Sequence, residues 1–350
     1  MRALVWDGPW DLQVRNVDDA TAGPGQALLR VIATGICGSD LHGYTGKNER
    51  RVPGQIMGHE TVCRVEEAAW GTDLAPGELC TVNPVVACGQ CPACQDGAEQ
   101  SCRYRSVIGV TPDTRAAFAE LVSVPARNVV RLPETTPVEY GALVEPLAVG
   151  YHAARRGECA PSDHVLVIGG GPIGQAAGLA ARRLGVSRVL VSEPVAGRRA
   201  LCAKLGLPVI DPGTLQDPEF SAEVEASLGG PATLVLDAVG SSRTVAQAIS
   251  ASAFGARIVL IGMSSVRLEV PAYSVSTEER SLIGTFAFTA REFADTAAWV
   301  GAAPPELAHL VDGRVHLDGA PATFHNMAKG HLDASKVLVY LAERPVDDPA

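Results

Sequence analysis

The chain has 350 residues, and at roughly 100–200 residues per domain two domains are expected. Hydrophobic residues make up 47% and charged residues 19%, enough to fill sizeable cores and too apolar for a disordered chain. With 29 basic and 39 acidic residues the net charge is −10, which argues against nucleic acid or an anionic membrane surface as a general partner.

The opening MRALVWDGPWDLQVRN lacks the apolar core of a signal peptide, and no apolar run approaches the ~18 residues of a spanning helix. A soluble, cytoplasmic protein is expected. Residues 1–150 read as turn-rich β structure, with ALLRVIATGIC and FAELVSVPARNVVRLP as β-rich runs broken by Gly and Pro. The character changes near residue 160. HVLVIGGG, a small-residue helix, RVLVSEP, a helix around RRALCAKLG, and LPVID follow one another; ATLVLDAVG, ARIVLIGM and RSLIGTF come later. Apolar strands separated by helical stretches predict an α/β domain with a parallel sheet covered on both faces. From about residue 291 the pattern gives a helix at REFADTAAWVGA, a helix near FHNMAKG and a strand at KVLVYL.

VLVIGGGPIGQAAG contains G-x-G-x-x-G as Gly169, Gly171 and Gly174, with Pro172 and Ile173 between them. The motif follows an apolar strand and opens an Ala-rich helix, the context a dinucleotide site requires. Gly169 permits the tight turn, Gly171 lets the backbone approach a pyrophosphate, and Gly174 allows close helix–strand packing. Glu193, nineteen residues past Gly174, is placed to accept from both ribose hydroxyls of NAD and to repel the extra phosphate of NADP. Arg198 and Arg199 follow; they could flank the adenine or rescue NADP binding. NAD is the expected cofactor, with NADP second.

Of the nine cysteines, Cys88, Cys91, Cys94 and Cys102 form C-x2-C-x2-C-x7-C. In a reducing compartment such clustering points to metal rather than disulfides. Four thiolates suit a tetrahedral structural zinc with no open position, and an iron–sulfur cluster competes for the same pattern. Three further segments hold scattered ligands: Cys37 in GICGSDLHG, His59 and Glu60 in MGHE, and Glu145 in ALVEPLAVG. Singly each is weak, since a lone cysteine is more often a small buried residue.

Joined in order (CGSDLH, GHE, the four-cysteine lobe, VEPLAV, GGGPIG, SKVLVYL), these segments resemble the zinc-dependent medium-chain alcohol dehydrogenases, in particular their polyol (sorbitol) and threonine dehydrogenase branch. The resemblance spans essentially the whole chain. It implies a GroES-like β-barrel catalytic domain over 1–150, with a structural zinc lobe at about 86–104. A Rossmann domain follows over 151–290, and 291–350 completes the catalytic domain, with the active site in the cleft. It also implies that Cys37, His59 and Glu145 hold a catalytic zinc and that Glu60 is a ligand or an exchangeable neighbour, making two zinc ions per chain. A carboxylate in place of a thiolate makes that zinc a harder Lewis acid. TVCRVEE after GHE, and Gly77-Glu78-Leu79-Cys80 where the family has G-D-R-V, depart from the pattern and read as packing differences in the barrel.

The implied reaction takes a hydride from a secondary alcohol (a polyol, sugar or cyclitol) to NAD. Ser39 is expected to take the hydroxyl proton and His42 to pass it towards solvent. Lys47, Arg50 and Arg51 in GKNERR could meet an anionic substrate, although a solvated basic loop is favoured. A threonine dehydrogenase is the runner-up. A non-catalytic zinc-stabilised nucleotide-binding protein is the alternative from another class. A homo-dimer or homo-tetramer, joined through the edge near RSLIGTF, is expected from the resemblance.

Overall fold

A computed structural model describes residues 1–47, 51–112, 115–213, 215–332 and 334–341. The chain forms two compact units, Met1–Glu145 with Thr289–Ala350, and Pro146–Phe288. The first division falls inside the helix Val144–Arg156, a few residues before position 150.

The first unit is built on a sheet whose strands run in the order Val129–Arg131, Leu79–Val82, Glu60–Glu67, Gln26–Gly35, Val337–Tyr340, Gly313–His316; Leu121–Pro125 also pairs with Gln26–Gly35. Along Gln26–Gly35 the side chains of Ala27, Leu29, Val31 and Ala33 are buried, the period of two that a one-sided strand requires. The C-terminal strand lies antiparallel to it, with Val339 opposite Thr34, and parallel to Gly313–His316. Residues three hundred positions apart thus share one sheet. Leu4, Leu29, Val31, Val122, Phe118, Phe324 and Val339 fill its core, where Phe118 and Phe324 meet edge to face at 5.5 Å. The two departures from the family pattern lie here: Cys63 pairs directly with Cys80 across neighbouring strands, and both are fully buried. Burial pushes the Cys63 thiol up to about 12 and raises Cys80 as well, so both act as small apolar residues.

The second unit holds a six-stranded, all-parallel sheet. Its strands are His164–Ile168, Arg188–Ser192, Val209–Ile210, Ala232–Asp237, Ser252–Leu260 and Ser281–Gly284, and in space they run third, second, first, fourth, fifth, sixth. That is the doubly wound order of a Rossmann sheet. The central strands are buried along their length, as continuous apolar runs predict. The order in which strands are added reverses between the first and fourth strands, which lie parallel, and the glycine turn leaves the first strand there. Helix Asp217–Leu228 buries Phe220, Val224 and Leu228 in this unit's core. Among the described residues no helix is long and apolar enough to cross a membrane.

Candidate functional site

The cysteine lobe is wrapped by short local turns: a four-residue helix Pro92–Gln95 begins after Cys91, and a short 3-10 turn Glu99–Ser101 delivers Cys102. The sulfurs sit 3.5 Å (Cys91–Cys94), 3.6 Å (Cys102–Cys88) and 3.9 Å (Cys88–Cys94) apart. Four sulfurs around one tetrahedral zinc, each at about 2.3 Å, lie about 3.8 Å apart, so the cage has the size of a single ion. Sulfurs in such contact leave no space for an iron–sulfur cluster. Within the interacting thiols the amides of Gln90 and Cys91 lower Cys88 to about 6, while burial and then Cys91 push Cys94 up to about 12.

The second group forms where three elements end. Cys37 precedes the helix Gly38–Tyr44, and His59 and Glu60 stand at the start of the strand Glu60–Glu67. One ligand atom from each of Cys37, His59 and Glu60 lies within 4.8 Å of the others. Glu145, near the start of its helix, is outside that close group yet near enough to act on its charges. Burial pushes the Glu145 carboxyl up to about 7, with Glu60 and Asp40 adding to the rise and His59 and Lys336 opposing it. Burial lowers the His59 imidazole, but Asp40, Cys37 and Glu145 outweigh it and raise the group well above its ordinary value. Among the described residues one Glu60 oxygen (Oε1) and the Ser39 hydroxyl are buried without a hydrogen-bond partner. Orphaned polar atoms of this kind mark a place shaped for a ligand or ion. A thiolate, an imidazole and a carboxylate are the donor set of a catalytic zinc.

Three residues of this site escaped the sequence reading. Asp40 is fully buried; its Oδ2 accepts from the Cys37 N–H at 3.1 Å, and its Oδ1 lies 3.7 Å from His59 Nδ1. Lys336, 3% exposed, forms an ion pair with Glu60 Oε2 and donates to the Ile36 carbonyl at 3.4 Å. Arg51 was expected in a solvated basic loop. Instead it is 8% exposed and turned inward, donating to the Val110 carbonyl at 2.9 Å. Arg50 lies outside the described residues, and Lys47 is exposed. His42 is exposed on the same helix as Ser39; desolvation and then the charge of Lys47 hold its imidazole below its ordinary value. No hydrogen bond joins Ser39 to His42 among the described residues.

In the second unit the glycine turn has the geometry its sequence predicts. Gly169 has φ +95°, a conformation that favours glycine, and a Cβ on Gly174 would sit 1.7 Å from the Gly169 carbonyl oxygen. Gly171 precedes the helix Pro172–Arg183 with no side-chain cap, and a Cβ there would meet nothing within 4 Å. A helix N-terminus opening onto free space is suited to a phosphate. Glu193 is not a free arm: it is 3% exposed, accepting from the Gly170 N–H and the Val195 N–H at 2.7 Å each. Arg199 donates to the carbonyls of Glu193 (3.0 Å) and Pro194 (2.7 Å) and pairs with Asp211 at 2.9 Å, so it braces the chain just after the second strand. The Arg198 Nε is buried and has no hydrogen-bond partner among the described residues.

Two predictions follow from this geometry. Lys336→Met leaves the Glu60 carboxylate buried and unpaired and should cost about 3–5 kcal/mol, read as a lower urea midpoint; the double variant with Glu60→Leu should recover most of it. Gly174→Ala should abolish dinucleotide binding by calorimetry while the first unit keeps its fold by proteolysis, because the new methyl meets backbone that cannot withdraw.

Residues 23–134 match the alcohol dehydrogenase GroES-like domain, and residues 172–302 match the zinc-binding dehydrogenase domain. The chain is 32% identical to L-galactonate-5-dehydrogenase of Escherichia coli, over 84% of this chain and 85% of that protein. It is 34% identical to L-threonine 3-dehydrogenase of Pyrococcus abyssi over 71% of each. Among solved structures, an alcohol dehydrogenase from Thermus sp. ATN1 superposes with a TM-score of 0.87 at 30% identity, covering 97% of this chain and 99% of that one. With its GroES-like and Rossmann units, the chain belongs to the zinc-dependent medium-chain alcohol dehydrogenases, oxidoreductases that act on CH–OH donors with a nicotinamide cofactor.

Proposed function

We propose that the protein oxidises a secondary hydroxyl of a polyhydroxylated small molecule (a polyol, sugar, sugar acid or cyclitol) with NAD, and that it holds two zinc ions. The observation that carries this reading is the convergence of Cys37, His59 and Glu60 within 4.8 Å, with Ser39, two residues after Cys37, carrying a buried hydroxyl that has no hydrogen-bond partner among the described residues. Cys37, His59 and Glu145 hold the catalytic zinc, with Glu60 as ligand or exchangeable neighbour; Cys88, Cys91, Cys94 and Cys102 hold a structural one. Bound zinc supplies a Lewis acid that lowers the pKa of the substrate hydroxyl. Ser39 accepts the hydroxyl proton through its Oγ, and His42, exposed on the same helix, passes it to solvent. Lys336 pairs with Glu60, and Asp40 Oδ1, 3.7 Å from His59 Nδ1, would bias the ring of a histidine that holds a metal.

The glycine turn and the N-terminus of the helix Pro172–Arg183 would cradle the pyrophosphate of a dinucleotide, whose nicotinamide would supply the hydride acceptor. Glu193 selects NAD, because a 2′-phosphate placed against its carboxylate meets like charge. Arg198 is the cation left to face the adenine side, since Arg199 is committed to the chain just after the second strand. A second copy of the chain pairs along the edge strand Ser281–Gly284, whose unit exposes Phe254, Met263 and Tyr273.

The test is reduction of NAD or NADP by a panel of polyols, sugars, sugar acids, cyclitols and threonine, with and without a chelator, alongside zinc per chain. Chelator-sensitive turnover of one polyhydroxylated class with NAD is expected. Turnover of threonine alone would establish the runner-up, and one zinc per chain with no turnover would establish a non-catalytic protein. Ser39→Ala should lower kcat by about 10²-fold or more with zinc content unchanged. Glu193→Ser should raise the KM for NAD by about 10–100-fold and narrow the preference over NADP, the loss of one or two charged hydrogen bonds.

A further inference from the structure

We propose that Arg51 is a positioning residue for His59, holding the imidazole from two sides; this rests on the reading that Cys37 and His59 hold a metal. Arg51 lies eight residues before His59, and its side chain is 1% exposed. Its Nη2 is 3.6 Å from Asp40 Oδ1, the oxygen that faces His59 Nδ1 at 3.7 Å. That carboxylate oxygen therefore lies between a guanidinium and an imidazole, within ion-pair reach of both and beyond hydrogen-bond distance of either. The other oxygen is fixed by the Cys37 N–H, so the same aspartate sets the positions of two ligands. A carboxylate that orients a metal-binding histidine works only if it is itself held.

The second side runs through the backbone. Arg51 Nη1 donates to the carbonyls of Gly109 and Val110. That turn presses on Gly58, the residue before His59: Gly109 has φ +74°, and a Cβ on it would lie 2.5 Å from the Gly58 carbonyl oxygen. Gly58 is also held from its other neighbour, since Phe118 N–H donates to the Met57 carbonyl at 2.9 Å. The guanidinium thus clamps the turn that sets the backbone of His59 while it steadies the carboxylate that sets its ring. Space for it comes from the helix that carries Cys37's neighbours. A Cβ on Gly43 would lie 2.4 Å from Arg51 Nε, so any larger residue there must displace the guanidinium. Lysine cannot replace this arrangement, because one ammonium cannot reach both the carbonyls and the carboxylate in the fixed fork of a guanidinium.

The experiment compares wild type, Arg51→Met, Arg51→Lys, Gly43→Ala and His59→Ala. It measures zinc per chain, and the rate of zinc loss to a chromogenic chelator well below the unfolding temperature. The four-cysteine zinc is the internal standard for an intact fold. Arg51→Met should lose one zinc about 10–100-fold faster than wild type and keep the other, the usual effect of removing a partner of a ligand. Arg51→Lys should fall between. Gly43→Ala, a better helix former by composition, should speed the same loss without touching any ligand. If Arg51→Met fails to fold, Gly43→Ala decides. Wild-type release of both zincs from Arg51→Met or, where that variant does not fold, from Gly43→Ala overturns the role of Arg51. A wild type with one zinc that His59→Ala does not change overturns the metal reading itself.

Discussion

Charge removed from water must be matched, and the first unit is arranged around that requirement. Asp40, Arg51, Glu60 and Lys336 are all buried below one tenth exposure, and they face one another as two pairs of opposite sign. An ionised group left alone there would cost several kcal/mol. Glu60 meets its ammonium only because the C-terminal strand returns to lie beside Gln26–Gly35, 276 residues further along the chain. The return of that strand is therefore an electrostatic condition on the site as well as a sheet edge. The pairing also leaves Glu60 with one oxygen toward Lys336 and one without a hydrogen-bond partner among the described residues, which is how a carboxylate can be held and still be offered.

The parts of the molecule legible in its sequence are those whose geometry is local. The glycine turn needs three residues within six positions, and the cysteine lobe needs four within fifteen. Both close on themselves, so their spacing carries their shape. Apolar runs in the second half gave the parallel strands because a sheet covered on both faces demands continuous hydrophobicity. Cys37, His59, Glu60 and Glu145 became a set only through family resemblance, since no local spacing links them. What stayed hidden is the support behind them. Asp40 stands inside CGSD, and its signal was there in the motif; it is a helix N3 acid whose second oxygen reaches His59. Lys336 precedes an apolar strand like any edge lysine, and nothing local says that it points inward. Arg51 sits in a run of charges, which composition reads as solvated surface; only the missing side chain of Gly43 shows that a slot was left for it.

The second unit handles its buried carboxylate differently. Among the described residues Glu193 has no cation at its oxygens; it accepts two backbone N–H groups, one of them from Gly170 inside the phosphate-binding turn. A carboxylate has about four lone-pair sites, so these two bonds leave acceptor capacity for ribose hydroxyls without any bond having to break. The same contact fixes the glycine turn before a dinucleotide arrives, and Arg199 fixes the carbonyls on the opposite side of the glutamate. Ordering a flexible glycine loop at the moment of binding would subtract from affinity; here that entropy is already spent in folding. The acid at the end of the second strand holds the turn, and in the proposed reading the same side chain also discriminates the ribose. A substitution that keeps its length but removes its charge should separate the two roles, weakening discrimination more than it loosens the turn, because a neutral amide oxygen can still accept from one backbone N–H.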